Sequence, residues 1–246
     1  MTESFVSVQI SHEDMCVPVS DGVQGRPAPW AGLRWGMVQK GQFLERATLV
    51  PVGQEVMEGT THRGTRAPPL LIIPPRPDEG GGMDHVVAAE LVWAAASAGF
   101  PTLRFNHRGV GASQGRRGKD LELLADAEAA MQVLLENTGA PALAVASLHG
   151  GAQVALALQA KHATVGGLCL VAPALVAPDV FARVTSPLLV VQGEVDTRLP
   201  RAAVSAAVAR AGGDLEVIDD ADATFQRNLP QVGRAVAAWL RRLSGG

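Results

Sequence analysis

From about residue 46 onward, short apolar runs alternate with alanine-rich segments of helix length, and that alternation leaves few folds open to the chain. The runs 47–52 and 55–61, separated at Gly53, predict an antiparallel pair of strands. Residues 69–73, 102–105, 142–146, 165–171, 188–192 and 215–218 predict further short strands. Their near-continuous apolar character suits a pleated layer covered on both faces. Between them, 83–98, 120–136, 150–160, 200–211 and a closing segment ending near Leu243 predict helices. Gly99 supplies a helix stop, and Pro200 a first-turn residue without the amide hydrogen that would be unpaired there anyway. Strand then helix, repeated, predicts an α/β fold: a mostly parallel sheet flanked by helices on both faces.

With 246 residues, 47% of them hydrophobic, the chain can bury one core of this kind without division. The expected organisation is an N-terminal extension over 1–44 and the α/β domain over 45–246. The extension holds the alternating run Phe5-Val6-Ser7-Val8-Gln9-Ile10, then Trp30 and Trp35 in a stretch punctuated by Pro and Gly. These tryptophans either cover a sheet edge or helix face, or line and plug a cleft. About fifteen residues separate Val171 from Pro187, too few for a substantial cap, so a cleft above the sheet is expected to be open.

Four segments in order carry a family resemblance. Gly99-Phe100-Pro101-Thr102-Leu103-Arg104-Phe105-Asn106-His107-Arg108-Gly109-Val110-Gly111-Ala112-Ser113-Gln114-Gly115 resembles a strand and loop of the α/β-hydrolases, especially the small lidless ones of the dienelactone-hydrolase and esterase type. Upstream, Leu71-Ile72-Ile73-Pro74-Pro75-Arg76-Pro77 with Gly80-Gly81-Gly82-Met83-Asp84 is similar to their oxyanion-loop region. Downstream, Pro187 to Asp196 is similar to the strand that presents the family's acid. Ala144-Val145-Ala146-Ser147-Leu148-His149-Gly150-Gly151-Ala152 resembles the nucleophile elbow, whose tight turn wants small residues two before and two after the nucleophile. Ala146 and Gly150 fit those places, which puts Leu148 at the tip. Making Ser147 the nucleophile instead leaves Val145 and His149 at the small positions, and neither fits.

The resemblance implies a triad in the chain order nucleophile, acid, histidine, and here it is degenerate. Leucine cannot attack a carbonyl. Of the six histidines, His12, His62, His85, His107, His149 and His162, none follows Asp196. The segment similar to the family's histidine loop reads Asp220-Ala221-Asp222-Ala223-Thr224-Phe225, with Ala223 where the imidazole would fall. The vestigial positions are thus Leu148, Asp196 and Ala223. A tip normally at positive φ would strain a branched leucine by roughly 1–2 kcal/mol, and Leu148 is expected to be buried or to face the cleft. Without a histidine, Asp196 is expected to serve its own turn, accepting backbone hydrogen bonds or pairing with Arg198. Ser147, His149 and His85 are the weak catalytic candidates. Pro74, Arg76, Gly80, Gly81, Leu148 and His149 are the expected ligand-cleft residues, with Arg76 either binding an anion or serving as a surface charge.

Other chemistry is excluded more simply. A formal net charge of −3 argues against an electrostatic nucleic-acid binder, and the cluster Arg116-Arg117-Gly118-Lys119 is short enough to be a solvated loop. Gly109-Val110-Gly111 with Gly115 has the wrong spacing for a dinucleotide loop and follows an internal strand. No Cys/His pair has metal-ligand spacing, Asp84-His85 alone is too little for a ligand set, and no cofactor is expected. Cys16 and Cys169 are far apart, and Cys169 sits within an apolar strand, so a reducing cytoplasm is expected. No secretory signal or membrane-spanning stretch is expected either. The expectation is therefore a soluble, catalytically inactive α/β-hydrolase-fold protein, a pseudoenzyme binding a small molecule, peptide or protein. The alternative is a non-hydrolytic or unorthodox enzyme on the same fold: an isomerase, cyclase or lyase, or lastly an esterase or thioesterase. A homodimer formed through an exposed edge or the N-terminal segment is compatible with either.

Overall fold

The computed structural model describes residues 44–174 and 176–245. The N-terminal stretch with Phe5, Cys16, Trp30 and Trp35 lies outside the described residues. Eight strands form one sheet: β1 (Arg46–Val52), β2 (Glu55–His62), β3 (Leu70–Ile73), β4 (Thr102–Phe105), β5 (Leu143–Leu148), β6 (Val165–Val171), β7 (Leu188–Gly193) and β8 (Asp214–Ile218). Their order is β1-β2-β4-β3-β5-β6-β7-β8. β2 is antiparallel to both β1 and β4, and every later pairing is parallel. Among the described residues five helices accompany them: α1 (Val86–Ser97), α2 (Asp120–Thr138), α3 (Gly151–Lys161), α4 (Arg201–Arg210) and α5 (Leu229–Leu243). The expected α/β architecture is present. So is the lidless outline, because among the described residues the connection from β6 to β7 contains no helix beyond the short 3-10 turn Pro178–Arg183.

The two-residue period of a strand divides the core between the two faces. Leu71, Ile73, Leu103 and Phe105 pack with Leu123 and Met131 of α2, Leu158 of α3 and Val204 of α4. Leu70, Ile72, Ala146 and Leu148 point the other way, among Leu91 of α1 and Val236, Trp239 and Leu240 of α5. Burying each of the larger side chains contributes about 1.5–3 kcal/mol. α5 buries Val232, Val236, Trp239 and Leu240 and leaves Arg234, Arg241 and Arg242 exposed, a helical stripe that docks on one side only. Among the described residues no helix is long and apolar enough to cross a membrane.

One helix starts later than its alanine-rich sequence suggests. Residues 83–98 read as helical, but α1 begins at Val86. The Met83 N–H donates to Asn106 Oδ1 (2.7 Å) and its carbonyl accepts from Arg104 Nη1 (2.9 Å), so its polar groups are taken by the neighbouring loop. His85 then caps the helix, its Nδ1 accepting from the Val87 N–H.

That loop, which follows β4, is held from below. Asp126 of α2, fully buried, accepts from the backbone and guanidinium of Arg108 and from His107 Nδ1. Glu58 of β2 accepts from Asn106 Nδ2 (2.7 Å) and the Ala112 N–H (2.6 Å). Gly109 and Gly111 both adopt positive φ, and a Cβ on Gly111 would lie 2.1 Å from Glu58 Oε1. α2 opens only at Asp120, beyond the glycines, so they form a turn and not a phosphate-binding helix start.

Gly167 on β6 makes room for α5. A Cβ there would meet Leu243 at 2.6 Å and the Trp239 ring at 3.1 Å. Gly167→Val is expected to destabilise the fold by about 1–3 kcal/mol through overpacking, read as a lowered urea midpoint at unchanged slope.

Candidate functional site

The sharp turn between β5 and α3 lies one residue further along than the small-residue pattern suggested. β5 ends at Leu148, and the positive φ belongs to His149, at 48°. Leu148, expected at the tip, is instead 1% exposed and packs in the core beneath α1 and α5. Histidine tolerates the left-handed region better than a branched aliphatic residue, so the turn places its strain where it costs least. The small positions two before and two after the tip are then Ser147 and Gly151. Gly151 must be small, since a Cβ there would sit 2.4 Å from the Pro74 carbonyl oxygen. The pattern Ser147-x-His149-x-Gly151 is present in the sequence, with no hydroxyl at its centre to mark it.

His149 is half-buried and held from one side. Arg198 Nη1 donates to its Nδ1 at 2.6 Å. The same guanidinium donates through Nε and Nη2 to both carboxylate oxygens of Asp196 (3.0 and 2.9 Å) and through Nη2 to the Ala172 carbonyl (2.9 Å). Arg198 thus joins the ends of β5, β6 and β7. Asp196 does serve its own turn, also accepting from the Arg198 N–H at 3.0 Å. Burial would raise the Asp196 carboxyl, but the hydrogen bonds from Arg198 outweigh it and hold the group below the usual carboxylate range.

An arginine offers donors only, so His149 Nδ1 must be the accepting nitrogen and the neutral ring carries its proton on Nε2. Burial first, then the positive charge of Arg198 and the neighbouring His85, lower its pKa from 6.5 to about 4. The His85 ring meets it edge-on, with centroids 5.2 Å apart. His85 Nδ1 also accepts, from the Val87 N–H at 3.3 Å, and burial lowers its pKa too. At neutral pH both rings are uncharged and both carry hydrogen on Nε2. The histidine that could act as a base therefore presents a donor, and a metal would find neither Nδ1 free.

Beside this turn, Glu79 Oε2 accepts from the backbone N–H of Gly150 and from that of Arg76, each at 3.1 Å. These amides, one just past the tip and one in the loop after β3, are the positions from which a hydrolase elbow directs donors at a developing oxyanion. The chain's own carboxylate fills them. Arg76 is neither a surface charge nor a free anion site: it is 8% exposed and donates to Asp78 (3.1 Å), Asp120 (3.0 Å) and Gln153 Oε1 (2.8 Å). The hydrogen bond to Asp78, more than any other contact, raises its pKa against the desolvation that burial imposes.

The expected cleft is only partly realised. Pro74 is buried with its carbonyl against Gly151, Gly81 packs on the Pro75 carbonyl, and Leu148 belongs to the core. Gly80 is exposed and ends the turn Pro77–Glu79 at φ 71°. Arg76 does line a groove of about 520 Å³ with Leu121, Leu124, Ala157 and Val180, between α2, α3 and the segment after β6. No Ser147/His149 dyad forms. Ser147 Oγ, fully buried inside β5, has no hydrogen-bond partner among the described residues, and the His149 ring is engaged by Arg198. Ala223 is half-buried against the α1/α5 side of the core, in a loop where Asp222 Oδ1 accepts from Thr224 and Phe225. Among the described residues no three His, Cys, Asp or Glu side chains group as a metal site would need.

A group whose folded pKa lies below its unfolded value destabilises the fold as it is protonated. For His149 the unfolded chain binds the extra proton between pH 6.5 and about 4, so its contribution is complete above pH 6.5 and is lost as pH falls through that window. Nuclear magnetic resonance should find the ring titrating near 4, and Arg198→Met should move that titration upward while burial keeps it below 6.5.

The fold and much of the sequence are shared with known proteins. Residues 79–205, just over half of the chain, match the family model described as serine aminopeptidase, S33. An uncharacterized protein of Rickettsia prowazekii is 25% identical over 199 residues, covering 75% of this chain and 84% of the relative. The solved structure of an α/β-serine-hydrolase homologue from Coxiella burnetii superposes with a TM-score of 0.70 at 27% identity, over 79% of this chain and 97% of that one. A protein of unknown function from Agrobacterium tumefaciens, described as an α/β hydrolase, gives 0.71 at 25%, over 82% and 97%. A lidless α/β serine hydrolase of Xanthomonas campestris shares the fold, at 0.70 and 24%, over 83% and 97%. The strand order, the missing cap and the matched segment agree: this chain belongs to the serine aminopeptidase S33 family of the α/β-hydrolases.

Proposed function

We propose that this protein is a non-hydrolytic member of its family, a pseudoenzyme whose elbow binds a small molecule, peptide or protein without turning it over. The observation that carries this reading is the side chain at the strained tip. His149 stands there with its Nδ1 accepting from Arg198, so its Nε2 bears hydrogen and has no lone pair with which to attack a carbonyl or take a proton. Three features support it. Asp196 is bonded to Arg198 and not to an imidazole, Ala223 stands where the family's histidine would lie, and Glu79 occupies the oxyanion donors. Hydrolysis by the relatives remains a property of those relatives.

A second reading has one specific observation behind it. A neutral imidazole donor near a carboxylate is the pairing used to enolise a carbonyl compound, the donor polarising the oxygen while the carboxylate takes the α-proton. His149 at the elbow and Glu79 in the loop after β3 supply those groups. Glu79 Oε2 is already shared between two amides, which places binding ahead of isomerisation. The cytoplasm is the compartment we assign, on the buried free thiol of Cys169, whose pKa burial raises far out of the reactive range. No nucleic-acid partner is proposed.

The purified protein is expected to leave a fluorophosphonate probe unreacted and to hydrolyse aryl acetates no faster than His149→Ala. Labelling of any serine, or an esterase rate that falls at least about tenfold (~1.4 kcal/mol) in His149→Ala, would overturn the non-hydrolytic assignment. Deuterium exchange into a carbonyl compound at its α-carbon, lost in Glu79→Gln, would establish the second reading.

A further inference from the structure

We propose that the elbow is a receptor for a monocarboxylate and that Glu79 is its built-in occupant, displaced when the ligand arrives. This deepens the binding reading above and rests on it. The pair of histidines carries the inference. Their rings meet edge-on, and each Nδ1 is held as an acceptor, one by the Arg198 guanidinium and one by the Val87 amide. What remains to each ring is an Nε2–H donor. Two rings locked in the same tautomer make a surface that selects acceptor-only groups and rejects cations and metals.

The adjoining amides show which acceptor suits the turn. Arg76 N–H and Gly150 N–H both donate to one oxygen of a carboxylate, that of Glu79. Gly150 is cut back to admit it: a Cβ there would lie 2.6 Å from Glu79 Oε2. Glu79 itself is exposed and closes a three-residue turn ended by Gly80, with no part in the core, so it can swing out without unpacking anything. The nearby cations are already neutralised, Arg76 by Asp78 and Asp120, Arg198 by Asp196. With no spare positive charge, a dianion would be repelled. With the exposed Glu79 carboxylate moved out into solvent, a monocarboxylate adds less charge at the amides than a dianion would, and the ligand gains the imidazole donors.

The test uses the full-length 15N-labelled protein. Long-range imidazole spectra at pH 7 should show the Nε2–H tautomer for both His85 and His149. Acetate, and benzoate as a bulkier probe, should shift the two imidazoles together with the amides of Arg76 and Gly150. Glu79→Gln, which keeps the shape and removes the competing charge, should tighten acetate binding about tenfold, and inorganic phosphate should bind more weakly than acetate to both proteins. An Nδ1–H tautomer on either ring would overturn the proposal. So would acetate leaving all four wild-type signals unmoved, or phosphate binding more tightly than acetate. The wild-type titration decides the matter even if the variant fails to fold. Ester turnover is measured separately, so loss of carboxylate binding with no hydrolysis would sink this inference and leave the non-hydrolytic assignment standing.

Discussion

The guanidinium of Arg198 is the contact on which the rest of the site depends. It sits where β5, β6 and β7 finish and makes hydrogen bonds to His149, Ala172 and Asp196 at once. In a hydrolase elbow the acid after β7 would orient an imidazole, and that imidazole would draw a proton from the nucleophile. Here a permanent cation takes the place of the imidazole. Because arginine cannot lose its proton in a protein, the carboxylate of Asp196 stays ionised and the Nδ1 of His149 stays an acceptor. A partner that keeps its protons makes this contact a fixed clamp.

A second clamp repeats the logic on the loop after β3. Arg76 ties that loop to Asp120 at the start of α2 and to Gln153 on α3, which sets the position of its own amide. Glu79 then bridges that amide to Gly150 at the elbow. These contacts are charge-assisted, and Arg76 is buried while Asp120 and Glu79 are exposed, so solvent screens the carboxylate side of each. Their combined effect is a preorganised set of donors facing the mouth of the sheet. Preorganisation of this kind serves tight binding as readily as it serves transition-state stabilisation. What separates the two outcomes is whether a nucleophile stands among the donors.

Much of the scaffold was legible in the chain because it depends on local pattern. β4 and β6 begin and end at the residues their apolar runs mark, and Gly53 and Gly99 adopt the positive φ that a hairpin turn and a helix stop require. The late start of α1 was not legible, since the polar groups of Met83 are claimed by Arg104 and Asn106 across the sheet. The turn after β5 was read one residue early for a related reason. Alanine, serine and glycine all satisfy a demand for smallness, and only the approach of Gly151 to the Pro74 carbonyl, delivered by β3, decides which of them must be small.

By itself the sequence determined the order of strands and helices, the want of room for a cap, the absence of any histidine after Asp196, and a local role for Asp196 within its own turn. All of these follow from composition, spacing or contacts between near neighbours. Tertiary structure alone decided that His149 is the tip, that Arg198 reaches it across 49 positions, and that Glu79 meets Gly150 across 71. Such contacts depend on how parallel strands line up side by side, and a register difference of one residue turns a side chain from the core to the site.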